Sequence, residues 1–179
     1  VQSQAMFTVD NGVRGALVRG ILPDYEDQVA DFRKTIKSGS LDALQPGSFG
    51  VVLGADLARM LGVFVGDKVT LIAPQGTVTP AGVVPRLKTF TVVGIFEVGM
   101  YEYDSGLALI HLNDAQKLYQ MDDRVSGVRL KVDDLFRAPR IARELAGKID
   151  ANAWISDWTK SHANFFRAVQ IEKNMMFII

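Results

Sequence analysis

Cysteine is absent from the 179 residues, and histidine occurs twice. Without thiols there can be no disulfide framework, thiolate nucleophile or zinc–thiolate site, and neither an oxidising nor a reducing compartment is favoured. His111 and His162 are isolated, with no H-x-x-x-H or H-x-H spacing to converge on a metal, so both read as structural or surface side chains. Charge of one sign is also missing: Lys plus Arg and Asp plus Glu each number 20. No long basic run exists to neutralise phosphates, which argues against a nucleic-acid partner. The adjacent pairs Asp122-Asp123 and Asp133-Asp134 lie in turn-like sequence and read as solvated loop carboxylates. The glycines of PGSFGVVLGADLARMLG (46 to 62) match neither the Walker-type nor the dinucleotide-binding pattern, and no lysine is placed to reach a phosphate. Gly47, Gly50 and Gly54 therefore read as turn residues. No Ser or Thr sits in a nucleophile motif, so the sequence supports neither an enzyme assignment nor a cofactor.

What is present is the composition of a folded domain, 48% hydrophobic and 22% charged. Met6 to Val9 and Ala16 to Ile21 are short apolar runs around Asn11-Gly12, a strong hairpin signal. Val29, Phe32 and Ile36 recur at helical spacing and predict a helix over 25 to 37, stopped by Ser38-Gly39-Ser40. Strand, helix and strand follow at Gly50 to Leu53, Ala55 to Leu61 and Lys68 to Ala73. Thr89 to Val98, Gly106 to Ile110 and Val128 to Val132 have the β-branched, apolar character of strands. Asn113 to Tyr119 predicts a helix capped by Asn113, and Phe136 to Ile149 a helix with Pro139 tolerable in its first turn. A last strand is expected at Ala153 to Ile155, before a helical pattern from Ser161 that includes Phe165, Val169 and Met176. Helices and strands interleaved at both ends of a β-rich middle predict an α+β fold: an α/β layer with a β subdomain inserted into it.

The stretch GTVTPAGVVPRLKTF (76 to 90) does not fit an ordinary connection. The gap between Ala73 and Phe90 is far longer than a hairpin loop of two to five residues, and Pro74, Pro80 and Pro85 punctuate it. Proline fixes its own φ and biases the preceding residue towards extended backbone, so the excursion is stiffened without strand partners near its tip. Val78, Val83, Val84 and Leu87 would then be exposed, as on a contact site. Two readings fit: a protruding contact arm, which loses little entropy on binding, or a lid folded back over the core.

Both ends read as cuts in a longer protein. Val1 to Gln4 follow no initiator Met and no signal sequence. The chain closes on Glu172-Lys173-Asn174 and then Met175, Met176, Phe177, Ile178 and Ile179. That is far short of the about 20 residues that span a bilayer; a membrane helix cut in its first turn and a buried C-terminal core helix both match it.

The ordered set RGI (19 to 21), SGSLDAL (38 to 44), PGSFGVVLGADLARMLGV (46 to 63), GDKVTLIAPQG (66 to 76), TPAGVVPRLKTFTVVGIFEVGMYEYDS (79 to 105) and ISDWTKSHANFFRAVQIEKNMMFII (155 to 179) closely resembles the periplasmic domain of the LolC/LolE permeases. These are membrane subunits of the bacterial lipoprotein-releasing ABC transporter, within a MacB/FtsX-like superfamily. The resemblance covers nearly the whole chain. It implies a Porter-like α/β subdomain from residues 1–63 and 125–164, with a Sabre-like β subdomain over 64–124 and the start of the second transmembrane helix at 165–179. It also implies a β-hairpin hook at 76–88 that docks the periplasmic chaperone LolA. Matched by motif, Thr79, Pro80, Ala81, Gly82, Val83, Val84 and Pro85 correspond to the hook, with Arg86 and Lys88 as a polar patch at its base. Further implied partners are a LolD-like cytoplasmic ATPase, a second permease subunit and the lipoprotein substrate, at the inner membrane facing the periplasm. LolE-type members lack the hook signature, and hybrid subunits share features of both. The runner-up is the periplasmic domain of a MacB-like efflux permease that engages an adaptor protein. From another class, an enzyme or small-ligand binder would need a deep polar pocket gathering His111 or His162 with carboxylates.

Overall fold

The computed structural model describes residues 1–10, 12–79, 82–149 and 154–161. The chain divides into two compact units, Val1–Arg129 and Leu130–Ile179.

In the first unit, β1 (Gln2–Val9) and β2 (Gly12–Ile21) form the expected hairpin, paired from Gln2↔Arg19 to Val9↔Gly12. Asp10 opens its turn at φ 48°, the left-handed geometry whose twist matches the flanking strands. The single helix expected over 25 to 37 is not formed. The segment divides into α1 (Pro23–Glu26), α2 (Phe32–Thr35) and β3 (Ile36–Gly39). Tertiary contacts override the local spacing here. Phe32 packs edge-on against Phe96 with centroids 5.3 Å apart, while Ile36 pairs with Phe96 along the sheet edge. Gly39, at φ 74°, lets β3 lie this close, since a Cβ there would sit 2.1 Å from the Val93 carbonyl oxygen.

A 3-10 turn, Leu41–Ala43, is capped by the Ser40 side chain and leads to β4 (Gly50–Gly54) and α3 (Ala55–Leu61). Then come β5 (Lys68–Thr79), β6 (Gly82–Phe96), α4 (Tyr101–Gly106), β7 (Leu107–His111) and α5 (Leu112–Tyr119). The expected β5 and β6 were only the inner halves of these long strands. Helix α4 follows no pattern visible in the sequence; the buried Asp104 carboxylate organises its start, accepting the Val98 and Gly99 N–H groups at 2.8 and 2.9 Å. Helix α5 is capped by His111 rather than Asn113: Nδ1 of His111 accepts the Asn113 N–H at 3.2 Å. The strand expected over 128 to 132 is absent. Val128 and Leu130 are 80% and 68% exposed, so alternation there buries no face, and Arg129 between them is drawn to the buried Glu26 carboxylate of α1.

The strands pair in the order β3-β6-β4-β7-β2-β1-β5, and β5 pairs again with β6. Six strands therefore close into a ring, with β3 attached at its edge. The ring has an internal two-fold logic. β1 meets β5 antiparallel about Phe7↔Leu71, and β4 meets β7 antiparallel about Val52↔Leu109. Each hairpin then sends its second strand alongside the other half in parallel, β2 with β7 and β6 with β4. The units β4-α3 and β7-α5 match across this axis, each helix ending on a left-handed residue, Gly62 or Gln120.

Side-chain alternation sorts the apolar residues into two cores. Ala5, Phe7, Val18, Leu53, Leu71, Phe90 and Ile110 join Leu57 and Leu61 of α3 and Ala115 and Leu118 of α5. On the other side Phe32, Leu41, Leu44, Val52, Phe96 and Leu109 pack together. β4 and β7 are buried on both faces, as central strands must be.

In the second unit a 3-10 turn at Leu135–Arg137 enters α6 (Ala138–Ala146), with Pro139 in its first turn. Ala138, Ile141, Ala142 and Leu145 form its half-buried face, and Arg140 and Glu144 pair across one exposed turn at 2.8 Å. A short helix, α7 (Trp158–Ser161), follows. Trp154 and Ile155 lie outside any strand; Ala153 falls outside the described residues. So do His162 and the segment 165–179 expected to enter a membrane. Among the described residues no helix is long and apolar enough to cross one.

Candidate functional site

The stretch 76 to 90 is built as a hairpin. β5 has β1 as a second neighbour only from Thr70 to Ile72, and β6 meets β4 only from Thr91 onward. Between these limits β5 and β6 pair with each other alone: Ala73↔Arg86, then Thr77↔Val84, Val78↔Val83 and Thr79↔Gly82. At about 3.3 Å per residue, the seven residues from Ala73 to Thr79 carry the hairpin roughly 20 Å past the ring, less what its bulge takes up. The register shift between Ala73 and Thr77 sets three residues of β5 against one of β6. Pro74 and Pro85 both fall in this bulge, where a missing N–H breaks no ladder bond. The prolines thus stiffen the hairpin at the one place where the ladder is already interrupted.

Of the predicted site residues, Thr79 ends β5 and Gly82 opens β6 at φ 121°, with Val83 paired to Val78. Pro80 and Ala81 fall outside the described residues. Val84 is 53% exposed and Leu87 60%, with Pro85 exposed between them. At the root, the half-buried Arg86 guanidinium turns back onto the domain. Its Nη1 donates to the Leu118 carbonyl at 3.3 Å and its Nη2 to Gln120 Oε1 at 2.5 Å. Leu118 is in the last turn of α5, where carbonyls lack helical partners and a cation is favoured. Lys88 Nζ lies 3.9 Å from the centre of the Phe49 ring, a contact of about 0.5–1 kcal/mol at an exposed site. Phe49 in turn packs edge-on against Phe90 at 5.6 Å. Its backbone N–H and that of Gly47 are held at 3.0 and 2.8 Å by the fully buried Asp114 carboxylate of α5. These root contacts have no sequence signature, because Phe49, Asp114, Gln120 and Arg86 are brought together only by closure of the ring.

Other polar groups are structurally committed. Burial lowers the His111 pKa, partly offset by Asp114, which keeps Nδ1 the acceptor that α5 requires. Glu26 is bonded to Arg129. Among the described residues no three His, Asp or Glu side chains gather as for a metal. An open groove of about 570 Å³ beside Arg19 and Arg129, and another of about 610 Å³ beside Met6 and Tyr103, are lined without His111.

A domain model described as the MacB-like periplasmic core domain matches residues 1–148. The chain belongs to this family of periplasmic core domains. Among its relatives, the lipoprotein-releasing system transmembrane protein LolC of Neisseria meningitidis serogroup B is 47% identical over all of this chain and 43% of its own length. The LolC protein of Xylella fastidiosa is 44% identical over 92% of this chain and 40% of its own. The chain thus spans less than half the length of these curated relatives. Among solved structures, the extracellular domain of the noncanonic ABC-type transporter YknZ from Gram-positive bacteria aligns with TM-score 0.53 over 82% of this chain and 72% of its own, at 13% identity. That likeness is one of fold.

Proposed function

We propose that this chain is the periplasmic domain of a permease subunit of a lipoprotein-releasing ABC transporter, and that the β5–β6 arm docks the chaperone LolA. One observation carries the reading: the arm extends past everything the ring needs and presents exposed Val84, Pro85 and Leu87 on a proline-stiffened hairpin. An apolar, preorganised strand pair suits a partner with an apolar cavity, because little conformational freedom is lost on insertion. Thr79, Pro80, Ala81, Gly82, Val83, Val84 and Pro85 form the contact, with the basic Arg86 and Lys88 at the root. The domain hydrolyses nothing. ATP is consumed by a LolD-like subunit in the cytoplasm and coupled through membrane helices, so that a lipoprotein leaving the inner membrane passes to the docked chaperone beside a second permease subunit. The division into a Porter-like part (1–63 and 125–164), a Sabre-like part (64–124) and a membrane helix from 165 belongs to the same proposal.

The test is titration calorimetry of purified, lipid-free LolA against the chain and against a Val83→Asp/Val84→Asp variant. Micromolar binding that weakens at least about tenfold, or 1.4 kcal/mol, in the variant is the expected result. No binding by the folded parent would sink the docking assignment.

A further inference from the structure

The two cations at the arm root each meet a residue in a conformation that side chains avoid. Gln120, which accepts Arg86 Nη2, has φ 51° and ψ 50°; Phe49, whose ring lies under Lys88 Nζ, has φ 51°. Left-handed geometry is uncommon for residues other than Gly, Asn and Asp. Such a residue persists where surrounding contacts hold it, and here both side chains have one at the arm root. The ring supplies an internal control. Gly62 ends α3 where Gln120 ends α5, with the same left-handed turn and the same pair of backbone bonds to the preceding helical turn. The fold therefore accepts glycine at this corner, and the glutamine adds only its amide.

We infer that Gln120 and Phe49 form a two-point clamp that fixes the direction of the arm, with Arg86 and Lys88 as positioning residues held by the domain itself. The points lie on two different elements. Gln120 and the Leu118 carbonyl belong to the end of α5, and Phe49 to the loop before β4; Asp114 ties that loop to α5 through two backbone N–H groups. A hairpin joined to the ring only by its two strands is free to pivot where it leaves the ring, at Ile72 of β5 and Thr91 of β6. Gripping Arg86 and Lys88 close to that point removes the pivot and sets the angle at which the arm leaves the ring, while Pro74 and Pro85 stiffen the bulge beyond. This rests on the docking reading for its purpose, but its geometry concerns the free domain alone.

The absence of cysteine permits a direct test. Spin labels are placed by Val84→Cys and Glu102→Cys, on the arm and on α4, and the distance distribution is measured by pulsed electron resonance. A narrow distribution is expected in the parent, broadened at least about twofold in Gln120→Gly and narrowed again in Gln120→Glu, which restores an acceptor for Arg86. Gln120→Gly should melt no lower than the parent, because glycine suits the left-handed corner, so broadening cannot be attributed to unfolding. LolA binding to Gln120→Gly should slow in association by about tenfold, since fewer encounters find the tip aligned. An unchanged distance distribution in Gln120→Gly overturns the clamp whatever LolA does. A broadened distribution with no LolA binding even by the parent leaves the clamp standing and rejects the docking role.

Discussion

The ring carries two hairpins in equivalent places, and they differ chiefly in length. β1–β2 turns one residue pair after its last contact with β5, at Val9↔Gly12, whereas β5–β6 continues past Ile72 to Thr79↔Gly82. Ring closure requires only the short form. What the long form adds is therefore not needed to complete the sheet, and Pro74, Val84 and Pro85 beyond the ring are exposed where side chains below it, such as Leu71 and Phe90, are fully buried. The same contrast recurs at the helices. α3 begins at Gly54 with no side-chain cap and ends at Gly62; α5 begins at His111, whose ring caps it, and ends at Gln120, whose amide takes Arg86. One half of a pseudo-symmetric core is left plain, and the other is elaborated around the arm root.

The comparison breaks most severely if the shared core is damaged. Phe7→Ala, at the axis where β1 meets β5, should cost about 3–5 kcal/mol in urea unfolding, because Phe7 is fully buried and both hairpins lean on it. A smaller loss would mean that the two halves are less interdependent than the pairing implies. Next in size is removal of the arm. Excising residues 74–85 and joining Ala73 to Arg86 by Asn-Gly makes the second hairpin resemble the first; LolA affinity should fall about 100-fold, or 2.7 kcal/mol, with stability kept within about 1 kcal/mol. A collapse of the fold would show instead that the arm is structural. Asp114→Ala leaves the Gly47 and Phe49 N–H groups without their carboxylate and should cost about 1–3 kcal/mol, measured by denaturant titration. A neutral result would detach the Phe49 loop from α5.

The smallest effect is the pH dependence of the α5 cap. Burial lowers the His111 pKa below 6.5, so the folded state binds its proton less readily than the unfolded chain does. The contribution is then fully present above about 6.5 and is lost as pH falls through the folded pKa. The melting temperature should drop between pH 7.5 and 5.5 by more in the parent than in His111→Asn, which caps the helix without titrating. Equal drops would assign the pH dependence elsewhere.

Much of the fold could be read from residue patterns, for stated reasons. Asn11-Gly12 between apolar runs is a turn signal with a local cause, and the spacing in Ala55 to Leu61 and Asn113 to Tyr119 reports faces that are buried in fact. Failures occurred where a distant partner decided the outcome. Phe32 and Ile36 gave helical spacing over 25 to 37, yet Phe96, some sixty residues on, takes one in packing and the other in pairing. Helix α4 leaves no pattern in the sequence because the two bonds that organise it, from the Val98 and Gly99 N–H groups to the Asp104 carboxylate, have no periodic signature. For the candidate site, Pro74 and Pro85 marked an unusual excursion and family resemblance supplied a hook, but neither indicated that Arg86 would turn inward to α5.

By itself the sequence determined what this domain lacks, where most strands and helices start, and that residues 74 to 90 needed an explanation; these follow from composition, turn chemistry and periodicity, which are local. Tertiary structure alone decided that two hairpins close one ring, that only one of them outgrows it, and that Gln120 and Phe49 hold its root. Those outcomes depend on contacts between residues far apart in the chain, such as Arg86 with Gln120 and Lys88 with Phe49, which no local pattern encodes.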